Sequence, residues 1–119
     1  MVNKQQRITL VFAALADSTR RRIMERLSRR EEMRVTTLAR PFGISLPAFS
    51  RHLRVLESAK LVYRRREGRL HLIRARVAGL REAQSWITHY AAGWESSFGV
   101  LDKLLEEEQR EEKKRWKRK

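Results

Sequence analysis

The 119-residue chain contains no cysteine. Disulfides, thiolate metal sites and thiol redox switches are thereby excluded. Two prolines and five glycines are too few for a loop-rich or low-complexity protein. Acidic residues are scarce: 14 Asp and Glu stand against 28 Lys and Arg, a formal net charge of +14. Long apolar runs are missing too. The N-terminal MVNKQQRITLVFAALADSTRRR has one short apolar stretch that runs at once into charge. It is shorter than a membrane span and lacks a secretory cleavage pattern. The three histidines are scattered, and neither a carboxylate pair nor a Gly-rich phosphate loop stands out. The expectation is a cytoplasmic, non-enzymatic protein with no cofactor, no bound metal and no membrane partner.

What remains is 41% hydrophobic, enough for a core in a chain of single-domain size. The charge excess favours a polyanionic partner, nucleic acid or an anionic membrane surface, between which charge alone does not choose. A basic surface kept only for solubility is the bland alternative.

Apolar periodicity predicts a mostly helical fold. Ile8, Val11, Phe12 and Leu15 sit at helical spacing within residues 5–16. Asp17 is placed to cap a second helix, on which Ile23, Met24 and Leu27 face inward and Arg20, Arg21, Arg22 and Arg26 face solvent. A third helix is expected over about residues 36–42, shortened by Pro41 and followed by Gly43 at a tight turn. Ser45 then caps a fourth, with Pro47 tolerated in its first turn. Leu46, Phe49, Leu53 and Leu56 form one apolar stripe on that helix, while Pro47, Ala48, Ser50, Arg51, Arg54 and Glu57 lie opposite.

From Leu61 to Ala75 the period becomes alternating. LVYRRR and RLHLIRA, separated by Glu67-Gly68, read as a hairpin with a two-residue turn. That turn sets Arg66 opposite Arg69, Arg64 opposite His71 and Tyr63 opposite Leu72. Like charges facing each other across strands are unfavourable without an anion nearby, which marks a site. A final helix over about residues 80–110 carries Trp86, Tyr90, Trp94, Phe98, Leu101 and Leu105 at spacings of three and four. Thirty helical residues span about 45 Å, more than one small domain covers, so the stripe calls for a second surface, most simply another subunit. Residues 1–110 are read as one domain and 111–119 as a charged, fraying tail.

A short helix, a Gly turn, a Ser-capped helix and a hairpin make the layout of a winged helix-turn-helix. LARPFGISLPAFSRHLRVLESAKLVYRRREGRLHLIR, read with ALADSTRRRIMERL upstream, closely resembles the ArsR/SmtB family of bacterial transcriptional repressors. The likeness covers about residues 9–94 and includes S-x-x-x-S-R-H-L-x-x-L, A-x-L-V and R-R-x-G-R in register. It implies an α+β fold, mostly α with a small β-hairpin wing over residues 61–75 and a recognition helix over residues 45–59. It further implies a homodimer built from the first and last helices, through Val11, Phe12, Leu15, Trp86, Tyr90, Trp94, Phe98 and Leu101.

On that resemblance the partner is a double-stranded DNA operator and the function sequence-specific repression. Pro47 and Ala48 would meet thymine methyls, Ser50, Arg51 and His52 would supply hydrogen bonds, and Arg51 is the expected base reader. Ser45 and Arg54 would hold phosphates, as would Arg64, Arg65, Arg66, Arg69 and His71 of the wing. For His52 a structural hydrogen bond is the competing reading. A non-specific architectural nucleic-acid-binding protein is the rival function. Metal-sensing relatives carry E-L-C-V-C-D-L, where this chain has Glu32-Met33-Arg34-Val35-Thr36-Thr37-Leu38; Arg34 and Thr36 cannot bind a soft metal. The second family metal site, on the last helix, finds only His89 and Glu95, too few ligands. A small apolar effector in the aromatic stripe, a partner protein, and no signal at all stay open, with plain dimer core the commoner use of such a stripe.

Overall fold

The computed structural model describes residues 2–117, which fall into two compact units, one ending at Gln84 and the other starting at Ser85. The first opens with α1 (Lys4–Leu15), closed at its head by a capping box in which Asn3 and Gln6 exchange hydrogen bonds. Asp17 caps α2 (Ser18–Leu27), accepting the Arg20 backbone N–H at 3.0 Å. Then follow β1 (Met33–Arg34), α3 (Val35–Ala39) and a 3₁₀ turn, Arg40–Phe42. Next come α4 (Leu46–Ser58), β2 (Val62–Glu67), β3 (Leu70–Ala75) and the start of α5 (Ala78–Lys117).

Pro41 lies in the 3₁₀ turn, and the α-helical part of the expected third helix is only five residues long. Gly43 then takes φ +63°, the left-handed region that favours glycine, and turns the chain into α4. Phe49, Leu53 and Leu56 are completely buried among Ile23, Leu27, Leu38, Leu61 and Ile73. Each such side chain stabilises the fold by about 1.5–3 kcal/mol. Leu46 departs from the expected stripe: it is 51% exposed. It occupies the first position of α4, where the helix overhangs the core. Val11 also departs from expectation. At 1% exposure it belongs to this unit's core and is not available to another subunit.

The sheet has three antiparallel strands in the order β1-β3-β2, the two-residue β1 having escaped the alternation argument. The hairpin register differs from expectation by two residues. Glu67 pairs with Leu70, Arg66 with His71, Arg65 with Leu72 and Arg64 with Ile73. The turn is therefore Gly68-Arg69, and Gly68 has φ +61°. A primed turn needs positive φ at its first central position, which Gly accepts and Glu67 would resist. Arg66 and Arg69 are thus not cross-strand partners, and the predicted like-charge pairing is relieved.

Arg21 and Arg22 of α2 are exposed as expected, but Arg20 and Arg26 are half-buried. Arg20 donates from Nε to the Ala14 carbonyl at 2.6 Å and from Nη2 to that of Ala13 at 3.3 Å, closing the C-terminal end of α1. Arg26 donates to the Thr37 carbonyl at 3.3 Å.

In the second unit α5 continues to Lys117, past the expected end near residue 110. Glu106–Arg110 and Glu111–Arg115 stand four apart with acid first, the order that supports a helix through a charged block. Arg118 and Lys119, the end of the expected tail, lie outside the described residues. Tyr90, Trp94, Phe98 and Leu101 are exposed, and the Trp86 and Tyr90 rings stand 4.8 Å apart.

At the end of α4, Lys60 adopts φ +61°. The Leu61 N–H bonds to the Leu56 carbonyl at 2.9 Å and the Lys60 N–H to that of Glu57 at 3.0 Å, a Schellman motif. A side chain in this conformation costs about 1–2 kcal/mol, which glycine avoids at some expense in unfolded-state entropy. Lys60→Gly should therefore raise stability by about 0.5–1 kcal/mol in urea unfolding.

Candidate nucleic-acid interface

The helix-turn-helix is α3, the Gly43 turn and α4. Ser45 Oγ accepts the Ala48 N–H at 3.3 Å, and Pro47 sits in the first turn of α4, where a missing N–H costs nothing. Burial of Phe49, Leu53 and Leu56 fixes the rotation of the helix. Pro47, Arg51 and Arg54 are consequently exposed, and Ala48 and Ser50 half-buried. A groove of about 290 Å³ runs between this helix and the hairpin. Leu46 and Ser50 line it from α4, Arg64, Arg69, Leu70 and His71 from the hairpin, and Arg34 and Thr36 from the start of α3.

Leu46, Arg34 and Thr36 were not among the predicted contacts. Apolar periodicity assigns Leu46 to the core because it cannot show where the core ends. Arg34 ends β1 and Thr36 lies in the first turn of α3, a junction whose sequence signal is the short apolar pair Met33 and Val35 in a charged stretch.

Ion pairing sorts the arginines. Arg64 donates to Glu57 Oε1 of α4 at 2.8 and 3.2 Å and to His71 Nδ1 at 3.1 Å. A guanidinium only donates, so in this contact His71 accepts at Nδ1. Arg64 and His71, predicted as phosphate contacts, are thus engaged in joining the wing to α4. Arg65 pairs with Glu32 at 2.7 Å and Glu67 at 3.2 Å, and Arg74 with Glu31. Arg51, Arg54, Arg66 and Arg69, by contrast, have no hydrogen-bonding or acidic partner among the described residues. Four cations from α4 and the hairpin are left unpaired.

His52 makes a hydrogen bond within the protein. Its Nδ1 lies 3.2 Å from Arg20 Nη1 and 3.8 Å from Asp17 Oδ2, and the ring is three-quarters buried. Arg20 thus connects the end of α1 to α4 through His52. Among the described residues no three His, Cys, Asp or Glu side chains gather as a metal site requires, and no helix is long and apolar enough to cross a membrane.

Residues 15–65 match a helix-turn-helix domain model. The transcriptional repressor SdpR of Bacillus subtilis is 30% identical over 80 residues, 67% of this chain and 88% of that protein. The crystal structure of an ArsR family transcriptional regulator superposes with a TM-score of 0.73 at 31% identity, covering 81% of this chain and 98% of the other. The chain belongs to the ArsR/SmtB family. Another ArsR/SmtB-like structure, the homodimeric winged helix-turn-helix DNA-binding domain of a Mycobacterium bovis protein, has a TM-score of 0.58 at 29% identity over 77% of this chain and 82% of that one. In this ArsR/SmtB chain the hairpin is the wing.

Removing the Arg20 guanidinium takes the side-chain donor from the Ala14 carbonyl at the end of α1 and the anchor from His52. Arg20→Met should cost about 1–3 kcal/mol in urea unfolding. The carboxylates respond to acid. The Arg20 backbone N–H holds the Asp17 carboxyl below its ordinary 3.8, and side-chain bonds from Arg65 and Arg7 hold Glu32 and Glu82 below 4.5. Each binds a proton more weakly folded than unfolded. Their contribution is complete above the unfolded values and is lost as pH falls through the lower folded ones. Stability measured in urea should decline below about pH 4, and less steeply in an Asp17→Asn, Glu82→Gln variant.

Proposed function

We propose that this chain is a sequence-specific DNA-binding transcriptional repressor that acts as a homodimer, by binding rather than by catalysis. The observation that carries this reading is the set of unpaired arginines, Arg51 and Arg54 on α4 with Arg66 and Arg69 on the wing, around a helix face of short side chains. Pro47, Ala48 and Ser50 let the backbone of α4 approach base edges, Arg51 is long enough to read guanine, and Ser45 and Arg54 hold phosphates. Arg66 and Arg69 follow the backbone beside the groove. His52, Arg64 and His71 serve mainly as positioning residues. The name of the Bacillus relative supports repression, and the homodimeric Mycobacterium structure supports a two-fold assembly.

The exposed stripe of Tyr90, Trp94, Phe98 and Leu101, with Trp86, offers an apolar surface to a second copy. On α1, Phe12 and Leu15 make a separate contribution. Two recognition helices then address half-sites one helical turn apart, about 34–36 Å, or a multiple of it.

A dimer that neutralises about eight phosphates should lose affinity for duplex DNA with a log–log salt slope near −7. Arg66→Ala with Arg69→Ala should weaken all duplexes alike, whereas Arg51→Ala should cost about 1–3 kcal/mol on the preferred site and relax its sequence. Competition between an operator selected from a random pool and random duplex separates the two. Uniform binding without a dyad footprint would favour the architectural alternative.

A further inference from the structure

A cavity of about 470 Å³ opens between α1, the C-terminal end of α4 and the first turn of α5, away from the groove described above. Its volume lies within the range of small-molecule sites. Ile8, Val11 and Ala59 give it a buried apolar wall, and Ala78 and Gly79 keep the α5 side low. Gly79 is a close-approach position: a Cβ there would come 3.3 Å from Val11 Cγ2. Arg7 braces the opposite edge, bonding Glu82 through two nitrogens at 2.9 and 3.2 Å and the Val2 carbonyl at 3.2 Å. That arginine's charge is answered within the protein.

Two other cations at the cavity are not answered. Lys60 has no acidic partner among the described residues. Arg76 stacks on the Tyr63 ring at 5.0 Å without an acidic partner of its own. The Arg76 N–H bonds to the Leu61 carbonyl at 2.7 Å, which brings the Arg76 backbone beside Lys60. An apolar wall with two unanswered cations close in the fold fits one kind of occupant, an apolar chain ending in an anion.

We propose that this cavity binds a small amphipathic carboxylate, its chain against Ile8, Val11 and Ala59 and its carboxylate on Lys60 and Arg76. Lys60 is the left-handed residue that ends α4, so the carboxylate acts on the cap of the recognition helix and lowers operator affinity. Only this regulatory half rests on the DNA-binding reading; occupancy of the cavity does not.

The test is a calorimetric titration of the full chain with decanoate, kept below its micelle concentration, and with decanol as the uncharged analogue. Decanoate should saturate one site per chain and bind at least about tenfold more tightly than decanol, the value of one charge-assisted contact. A Lys60→Gln, Arg76→Gln variant of unchanged melting temperature should lose that difference. No saturable binding, or equal binding of the two probes, overturns the site. So does an affinity that falls as protein concentration drives self-association, because a second copy would then occupy the cavity. Fluorescence anisotropy with a labelled operator reads the other half: decanoate should weaken the wild-type complex at least about threefold and leave the variant's unchanged. Binding of decanoate without that loss overturns regulation alone. Failure of the chain to bind any duplex defeats the repressor reading and leaves the titration valid.

Discussion

The rotation of α4 about its own axis is the constraint on which the interface depends. Phe49, Leu53 and Leu56 set it by filling a core shared with α2, α3 and the sheet. A change of one residue in that register would carry Arg51 and Ser50 round by about 100°. Two polar ties act in the same sense from different sides. His52 meets Arg20 on the α2 side, and Glu57 meets Arg64 on the wing. Such partly exposed ties add little net stability. Their effect is geometric, because they hold the helix and the hairpin in one relation while the apolar side chains supply most of the free energy.

Arginines dominate the composition, and what lies within reach sets the use of several of them. Arg20, Arg21 and Arg26 serve backbone carbonyls that helix ends and turns leave open. Arg7, Arg64, Arg65 and Arg74 are matched to glutamates. Arg51, Arg54, Arg66 and Arg69 are among those without a hydrogen-bonding or acidic partner in the described residues, and they belong to the two elements that flank the groove. A net charge says only that a polyanion is welcome.

Much of this was legible in the residues. Strong local signals carried through: the Asp17 and Ser45 caps, the Gly43 turn, the buried triplet on α4 and the change of period into the hairpin. Two of the errors share a cause, which is that periodicity ranks faces without measuring how far a neighbour extends. Leu46 has the right phase for the core and no core beneath it, whereas Val11 is buried by its own subunit. The hairpin turn moved by a residue because backbone sterics at Glu67 and Gly68 outweigh symmetry of the flanking strings. Arg20 and His52 lie 32 positions apart, and no local pattern could pair them. The same holds for the cavity near Lys60, which exists only once three helices have met.

Glu31 and Glu32, adjacent in the chain just before β1, make the wing electrostatically two-sided. They draw in Arg74 and Arg65 from the strand face turned away from α4, while Arg66 on the other face and Arg69 at the tip stay unmatched. In the field of a distant polyanion such an uneven distribution experiences a torque as well as an attraction. That torque favours encounters on the side of the unmatched arginines.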